Sequence, residues 1–167
     1  VTVAAHRIEY ERIAVARAPR PTLVFLHEGL GSVAMWRDFP GRVAHAANCD
    51  AVVYSRYGYG RSDPLAEDRT PRYMHDEALV ALPELLDALA LDRPILVGHS
   101  DGGSIALIHA GSGVRPVAAI VALAAHVLVE NVSVASIAAA RTAYATTDLR
   151  ARLARYLDDL GQRHGLP

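Results

Sequence analysis

Gly98-His99-Ser100-Asp101-Gly102 follows the apolar run Pro94-Ile95-Leu96-Val97 and precedes Gly103-Ser104-Ile105-Ala106-Leu107-Ile108-His109-Ala110. The first run predicts a buried strand, the last a helix packed against a sheet. Between a strand and a helix, G-x-S-x-G places its serine on a sharp turn. Such a turn strains the Ser100 backbone, and the flanking glycines let neighbouring chain approach without Cβ clashes. The hydroxyl then stands at the carboxyl edge of a sheet, with a helix N-terminus behind it. Alone the pentapeptide is a weak signal; its flanks make it a strong one.

Outward from this point the chain alternates strand and helix. His6 to Val15 reads as an edge strand or hairpin, and 22–27 and 51–54 as strands. Met35 to Asn48 reads as a helix bent or restarted at Pro40. Residues 57–72, rich in Gly, Pro, Asp and Arg, form a loop. Tyr73 to Leu91 predicts a helix with Leu79, Leu82, Leu85, Leu86 and Leu89 on one face. A strand at 94–98, a helix at 101–112 and a strand from Val117 to Leu123 follow. This is the pattern of an α/β fold: a mostly parallel sheet with helices on both faces. Beyond residue 123 no apolar run has the length of a sheet strand. An alanine-rich helix from Ser133 to Tyr144 is expected, with Asn131 or Ser133 as N-cap. A second helix is expected from Leu149 to Leu160, capped by Asp148, with Leu149, Leu153, Tyr156, Leu157 and Leu160 as its stripe. Gly161 and Gly165 then break the pattern.

Composition excludes several classes. The 167 residues carry 17 Lys plus Arg against 18 Asp plus Glu, a balance that argues against nucleic acid or an anionic membrane as partner. Cys49 is the single cysteine, so the chain holds neither a disulfide framework nor a multi-cysteine metal site. No His or carboxylate spacing suggests a metal, and no cofactor is expected. Val1 to Tyr10 lacks the apolar core of a signal peptide, and Val117 to Val129 is too short to span a bilayer. The expected compartment is the cytoplasm.

Thr22-Leu23-Val24-Phe25-Leu26 runs into His27-Glu28-Gly29-Leu30-Gly31-Ser32, and Tyr54-Ser55-Arg56-Tyr57-Gly58-Tyr59-Gly60-Arg61-Ser62 follows the next strand. With the Ser100 pentapeptide, these stretches resemble the α/β-hydrolase family over roughly residues 8–130. The resemblance implies that Ser100 is the nucleophile and that the loop after His27 supplies one backbone N–H of an oxyanion hole. That donor maps to Gly29, with Glu28 and Leu30 as alternatives; the second maps to Asp101. Glu28 departs from the family pattern, which often has Gly there. The Arg56-x-Gly-x-Gly-x-Ser loop is implied to be architectural. The family's triad runs Ser, then Asp or Glu, then His, with the histidine after the last strand. The chain stops short of that point, so it reads as a truncated form: 1–130 the N-terminal part of the core, 131–167 a helical lid-like segment and tail.

A serine hydroxyl is a poor nucleophile at neutral pH and needs a base within hydrogen-bond reach. Of the eight histidines, His99 should point away from Ser100, and His27 should hold the oxyanion loop. His109 lies down the helix; His6, His45 and His75 read as surface or helix-end residues; His164 sits in the Gly-rich tail. His126, after the strand 117–123, is the best internal candidate for a base. Glu130 reads as the start of the lid, with a role as acid the alternative.

Two classes of function follow. One is a serine hydrolase of ester or C–C bonds, similar to lidded α/β-hydrolases and acting on a small ester-like or related carboxylic-acid substrate. The other is a non-catalytic half-domain that needs self-association or a missing C-terminal segment, because the open edge of an incomplete sheet invites pairing with another copy. Without a triad base, only feeble turnover of activated esters is expected.

Overall fold

The computed structural model describes residues 1–17 and 19–154. The chain opens with a small antiparallel hairpin, β1 (Thr2–Val3) against β2 (His6–Arg7). The main sheet then takes β3 (Tyr10–Ile13), β4 (Leu23–Leu26) and, after the helix α1 (Phe39–Ala47), β5 (Ala51–Tyr54). The expected helix from Met35 begins instead as a 3-10 turn, Ala34–Trp36. Arg37 breaks it at φ 51°, and the helix restarts with Pro40 in its first turn, where the missing N–H costs nothing.

The segment expected as one helix is interrupted. Residues Tyr73–Asp76 (α2) lead into a π-turn, Glu77–Ala81, and then into α3 (Leu82–Ala88). Pro83 explains the interruption. In a regular helix its ring would clash with the carbonyl of Leu79. The widened turn, in which Leu82 N–H donates to Glu77 O, relieves that clash. In the widened register the Ala78 carbonyl would meet Pro83, which has no N–H; the buried His109 ring bonds it instead, 2.8 Å away.

Next come β6 (Ile95–His99), α4 (Asp101–Ser112) and β7 (Ala119–Leu123). The sheet order is β3-β5-β4-β6-β7; β3 pairs antiparallel and every other pair is parallel. The mostly parallel sheet with helices on both faces is therefore the architecture. Strand residues alternate faces: Val24, Leu26, Val52 and Leu96 pack with α3 and α4, whereas Phe25, Val53 and Val97 pack with Ala44 of α1.

Among the described residues, the β7 edge is bare. On β7, Val121 and Leu123 are exposed, and Val127, Leu128 and Val129 after it are more so. The helix α5 (Asn131–Thr146) begins after Glu130, whose extended backbone (φ −102°, ψ 141°) occupies the N-cap position without a side-chain cap. The expected caps, Asn131 and Ser133, are thus already inside the helix. The last helix, α6, runs Leu149–Ala154. Tyr156, Leu157, Leu160, Gly161, His164 and Gly165 lie outside the described residues.

Candidate active site

Ser100 sits between β6 and α4 at φ 52° and ψ −115°, a conformation that an L-residue adopts only under constraint. Three contacts impose it. The Ser100 N–H donates to Leu123 O of β7 at 2.8 Å. A Cβ on Gly98 would lie 2.2 Å from Gly102 O, and one on Gly102 would lie 2.0 Å from Leu26 O. Both positions admit only glycine, and the elbow is pressed onto the carboxyl end of β4. A strain of about 1–3 kcal/mol is then tolerable, because the surrounding packing over-determines the turn.

His126 lies beside the serine. Its Nε2 is 3.2 Å from Ser100 Oγ, within the reach a general base needs. The ring is exposed, but its backbone is pinned. Ser104 Oγ accepts the His126 N–H and donates to the His126 carbonyl, each at 2.9 Å. Ser104 is buried one helical turn after Ser100, so the helix that carries the serine also holds the strand end that carries the histidine.

The loop after β4 is fixed from behind. His27 is fully buried; its Nε2 accepts the Arg56 N–H at 3.0 Å, so its Nδ1 carries the proton and donates to Glu28 O at 2.7 Å. Burial, reinforced by the Arg56 charge, pushes the His27 pKa well below the ordinary value and keeps the ring neutral. Arg56 Nη2 donates to the same Glu28 carbonyl at 2.9 Å. A trans peptide points its N–H opposite to its carbonyl. Two donors on Glu28 O therefore turn the Gly29 N–H away from His27 and Arg56. Gly29 also lies against Asp101: a Cβ at Gly29 would lie 3.1 Å from Asp101 Oδ2. The two backbone segments expected to supply oxyanion donors are thus adjacent at one end of the sheet.

Asp101 links these parts. Its Oδ2 accepts the Tyr73 hydroxyl at 2.9 Å and lies 3.6 Å from Arg56 Nη2. Burial and then the Asp101 charge raise the Tyr73 pKa, so its hydroxyl stays a donor. The Arg56 side chain is 1% exposed and also lies over the Tyr59 ring, 4.9 Å from its centroid. Arg56, expected to be architectural, therefore ties the His27 loop to the residue after the serine.

The other candidates lie elsewhere. His99 faces Glu28 (Nδ1 to Oε2, 3.5 Å) and the Trp36 ring, away from Ser100 as expected. His109 is buried on α4, His6 stacks on Tyr57, and Glu130 is exposed at the start of α5. Sequence reasoning missed Ser104 and Tyr73. Ser104 carried a readable signal, since a position four residues after Ser100 on a helix shares its face; Tyr73 carried none. Among the described residues, no group of three His, Cys, Asp or Glu side chains is placed to hold a metal, and no helix is long and apolar enough to cross a membrane.

Comparison with known proteins gives the family of the fold. The family profile described as the alpha/beta hydrolase fold matches residues 21–166, and the chain belongs to that family. A proline iminopeptidase of Lactobacillus crispatus is 32% identical over 100 residues, covering 60% of this chain and 34% of the relative. A solved structure from work on carboxylesterases of the thaumarchaeon Nitrososphaera gargenis superposes with a TM-score of 0.71 at 21% identity, covering 87% of this chain and 53% of that one. An alpha/beta hydrolase fold protein from Burkholderia ambifaria shares the fold at TM-score 0.69 and 20% identity, over 97% of this chain and 66% of its own. The chain spans about a third of the length of the curated relatives it matches and about half of the first of these structures.

Proposed function

We propose that this chain carries the nucleophile and oxyanion hole of a serine hydrolase acting on a small ester or related carboxylic-acid derivative. The observation that carries the reading is Ser100 at a positive-φ elbow with its Oγ 3.2 Å from His126 Nε2. Ser100 Oγ attacks the substrate carbonyl carbon while its proton passes to His126 Nε2. The carbonyl electron pair moves onto oxygen, which the N–H groups of Gly29 and Asp101 receive. One such donor is worth about 3–4 kcal/mol in the transition state. Collapse expels the alcohol, which takes the proton from His126 and leaves an acyl-serine for water to cleave by the same route. The names of the relatives, a proline iminopeptidase and carboxylesterases, support hydrolysis of a carboxyl derivative.

A second reading rests on the bare apolar face of β7 and the residues after it. In it, the chain is a half-domain that turns over substrate only when a second copy or a further segment covers that face.

A fluorophosphonate probe separates them. Stoichiometric labelling lost in Ser100→Ala and slowed at least tenfold in His126→Ala supports the first reading. Labelling lost in Ser100→Ala yet unchanged in His126→Ala assigns the base to another group. No labelling of the unaltered chain supports the half-domain.

A further inference from the structure

A concave site lies apart from the elbow, linked to it by Tyr73. A cavity of about 340 Å³ opens between the β1–β2 hairpin, the end of β5, the loop 65–70 and the helix interrupted by the π-turn. Ser100, Gly29, Asp101 and His126 are not among its lining residues. Its size is that of a small-ligand pocket.

The lining has a consistent chemistry. Val3, Ile8, Leu65, Val80 and Leu85 make apolar walls. Tyr54, Tyr57 and Tyr73 add aromatic rings, the feature that attracts organic cations. Into this setting the π-turn delivers the Glu77 carboxylate, whose Oε1 accepts the Tyr54 hydroxyl at 2.8 Å. Burying a carboxylate in apolar surroundings is costly unless a positive partner joins it. Burial outweighs the pull of Arg56 and Arg69, and the Glu77 pKa lies above its ordinary value. Glu67, Asp68 and Asp76 also line the space. The guanidinium that lines it, Arg69, donates to Tyr57 O at 2.8 Å and lies over the Tyr59 and Tyr73 rings. His6 is stacked on Tyr57, with centroids 3.7 Å apart. Four carboxylates thus line the space with one arginine, engaged elsewhere, and a stacked histidine, while the buried Arg56 also acts on Glu77.

We propose that this cavity binds a small organic monocation, an ammonium group on an aryl or alkyl body, with Glu77 as its counter-ion. The apolar walls take the body, the tyrosine rings flank the ammonium, and the Glu77 carboxylate pairs with it. Tyr73 lines the cavity and also holds Asp101, so the ligand would sit one side chain from the elbow.

Calorimetric titration of the whole chain with three matched probes tests this: phenethylammonium, phenethyl alcohol and phenylacetate, at neutral pH. The expected result is ammonium binding at least tenfold tighter than the alcohol, with no detectable phenylacetate binding. Glu77→Gln should erase the preference for the ammonium. Val80→Trp, at an exposed lining position, should block all binding without touching the carboxylate. Circular dichroism checks that both variants fold. Ser100→Ala should bind as the unaltered chain does, which keeps this test independent of the hydrolase reading. Equal affinity for alcohol and ammonium, a preference for phenylacetate, unaltered binding by Val80→Trp, or no ammonium binding at millimolar concentration would each overturn the proposal.

Discussion

The centre of the sheet and its β7 edge are finished differently. On β4 every side chain is at most 4% exposed, whereas on β7 Val121 and Leu123 are 44% and 37% exposed and Val129 beyond it is 89% exposed. The candidate site lies along the seam between these regions. Ser100, Asp101 and Gly29 belong to the packed side, where Gly102 leaves no room for a Cβ beside Leu26 O and Arg56 is buried. His126 belongs to the bare side and is tied to the packed one by the Ser104 hydroxyl and by the Ser100 N–H bond to Leu123 O. Packing fixes Ser100 and the loop after His27, while a pair of hydrogen bonds holds the His126 backbone.

The sharpest test of this contrast uses two glycines of α4. A Cβ at Gly102 would lie 2.0 Å from the Leu26 carbonyl oxygen, and one at Gly111 would meet nothing within 4 Å. Gly102→Ala is expected to cost about 3 kcal/mol or more, since backbone cannot yield as a side chain can. Gly111→Ala should gain about 0.5–1 kcal/mol from helix propensity. Denaturant unfolding measures both. If the two substitutions had similar effects, the elbow would not be a constrained turn.

Next in size is the tie across the seam. Ser104→Ala removes the acceptor of the His126 N–H and the donor to its carbonyl. A loss of about 1–2 kcal/mol is expected, because the freed groups lie near solvent and regain part of their hydrogen bonding from water. The kinetic effect is more telling. Where His126 serves as base, Ser104→Ala slows fluorophosphonate labelling as His126→Ala does, and a mild rise in temperature exaggerates the loss. Labelling at the unaltered rate would show that the Ser104 tie has no part in the chemistry.

What the sequence made legible follows the same division. Strands 51–54 and 94–98, the elbow and the order of elements were readable because a buried parallel strand is a short apolar run and the elbow needs glycine at fixed places. The π-turn was not readable. Leucine periodicity is the same on either side of it, and the signal was Pro83 in mid-helix, whose consequence depends on the His109 ring reaching Ala78 O from another element. The ties of Arg56 and Tyr73 to Asp101 were hidden for the same reason: they join residues 45 and 28 positions apart, and only the folded sheet brings them together. His126 could be ranked first among the histidines because it follows a strand parallel to the one ending at Ser100.

The half-buried Glu77 carboxylate predicts a smaller, pH-dependent effect. Burial raises the Glu77 pKa in the folded chain above its unfolded value. The folded state therefore binds the proton more tightly, and this stabilising contribution is complete below the unfolded pKa. It is lost as pH rises through the folded pKa. Glu77→Gln, still able to accept the Tyr54 hydroxyl, should remove this slope. The Tm difference between variant and unaltered chain should therefore shift in the variant's favour from about pH 4, near the ordinary glutamate pKa, towards neutrality. A constant difference across that range would mean that Glu77 is solvated and that the packed region is looser there than its burial indicates.

The smallest effect is expected on the bare side. Leu128 and Val129 are 77% and 89% exposed, so replacing both with serine removes almost no buried area. Folding stability, measured at a concentration low enough to keep the chain monomeric, should change by less than about 0.5 kcal/mol. Association is another matter, since contiguous exposed apolar side chains beside an open strand edge drive self-pairing. Sedimentation at rising concentration should show the unaltered chain forming larger species and the Leu128→Ser, Val129→Ser chain remaining smaller. A stability loss of 2 kcal/mol or more on the scale of buried leucine substitutions would place these residues inside the fold and erase the contrast between the two sides. Unchanged association would limit the sticky surface to β7 and α5, where Val121, Val132 and Ile137 are the next residues to replace.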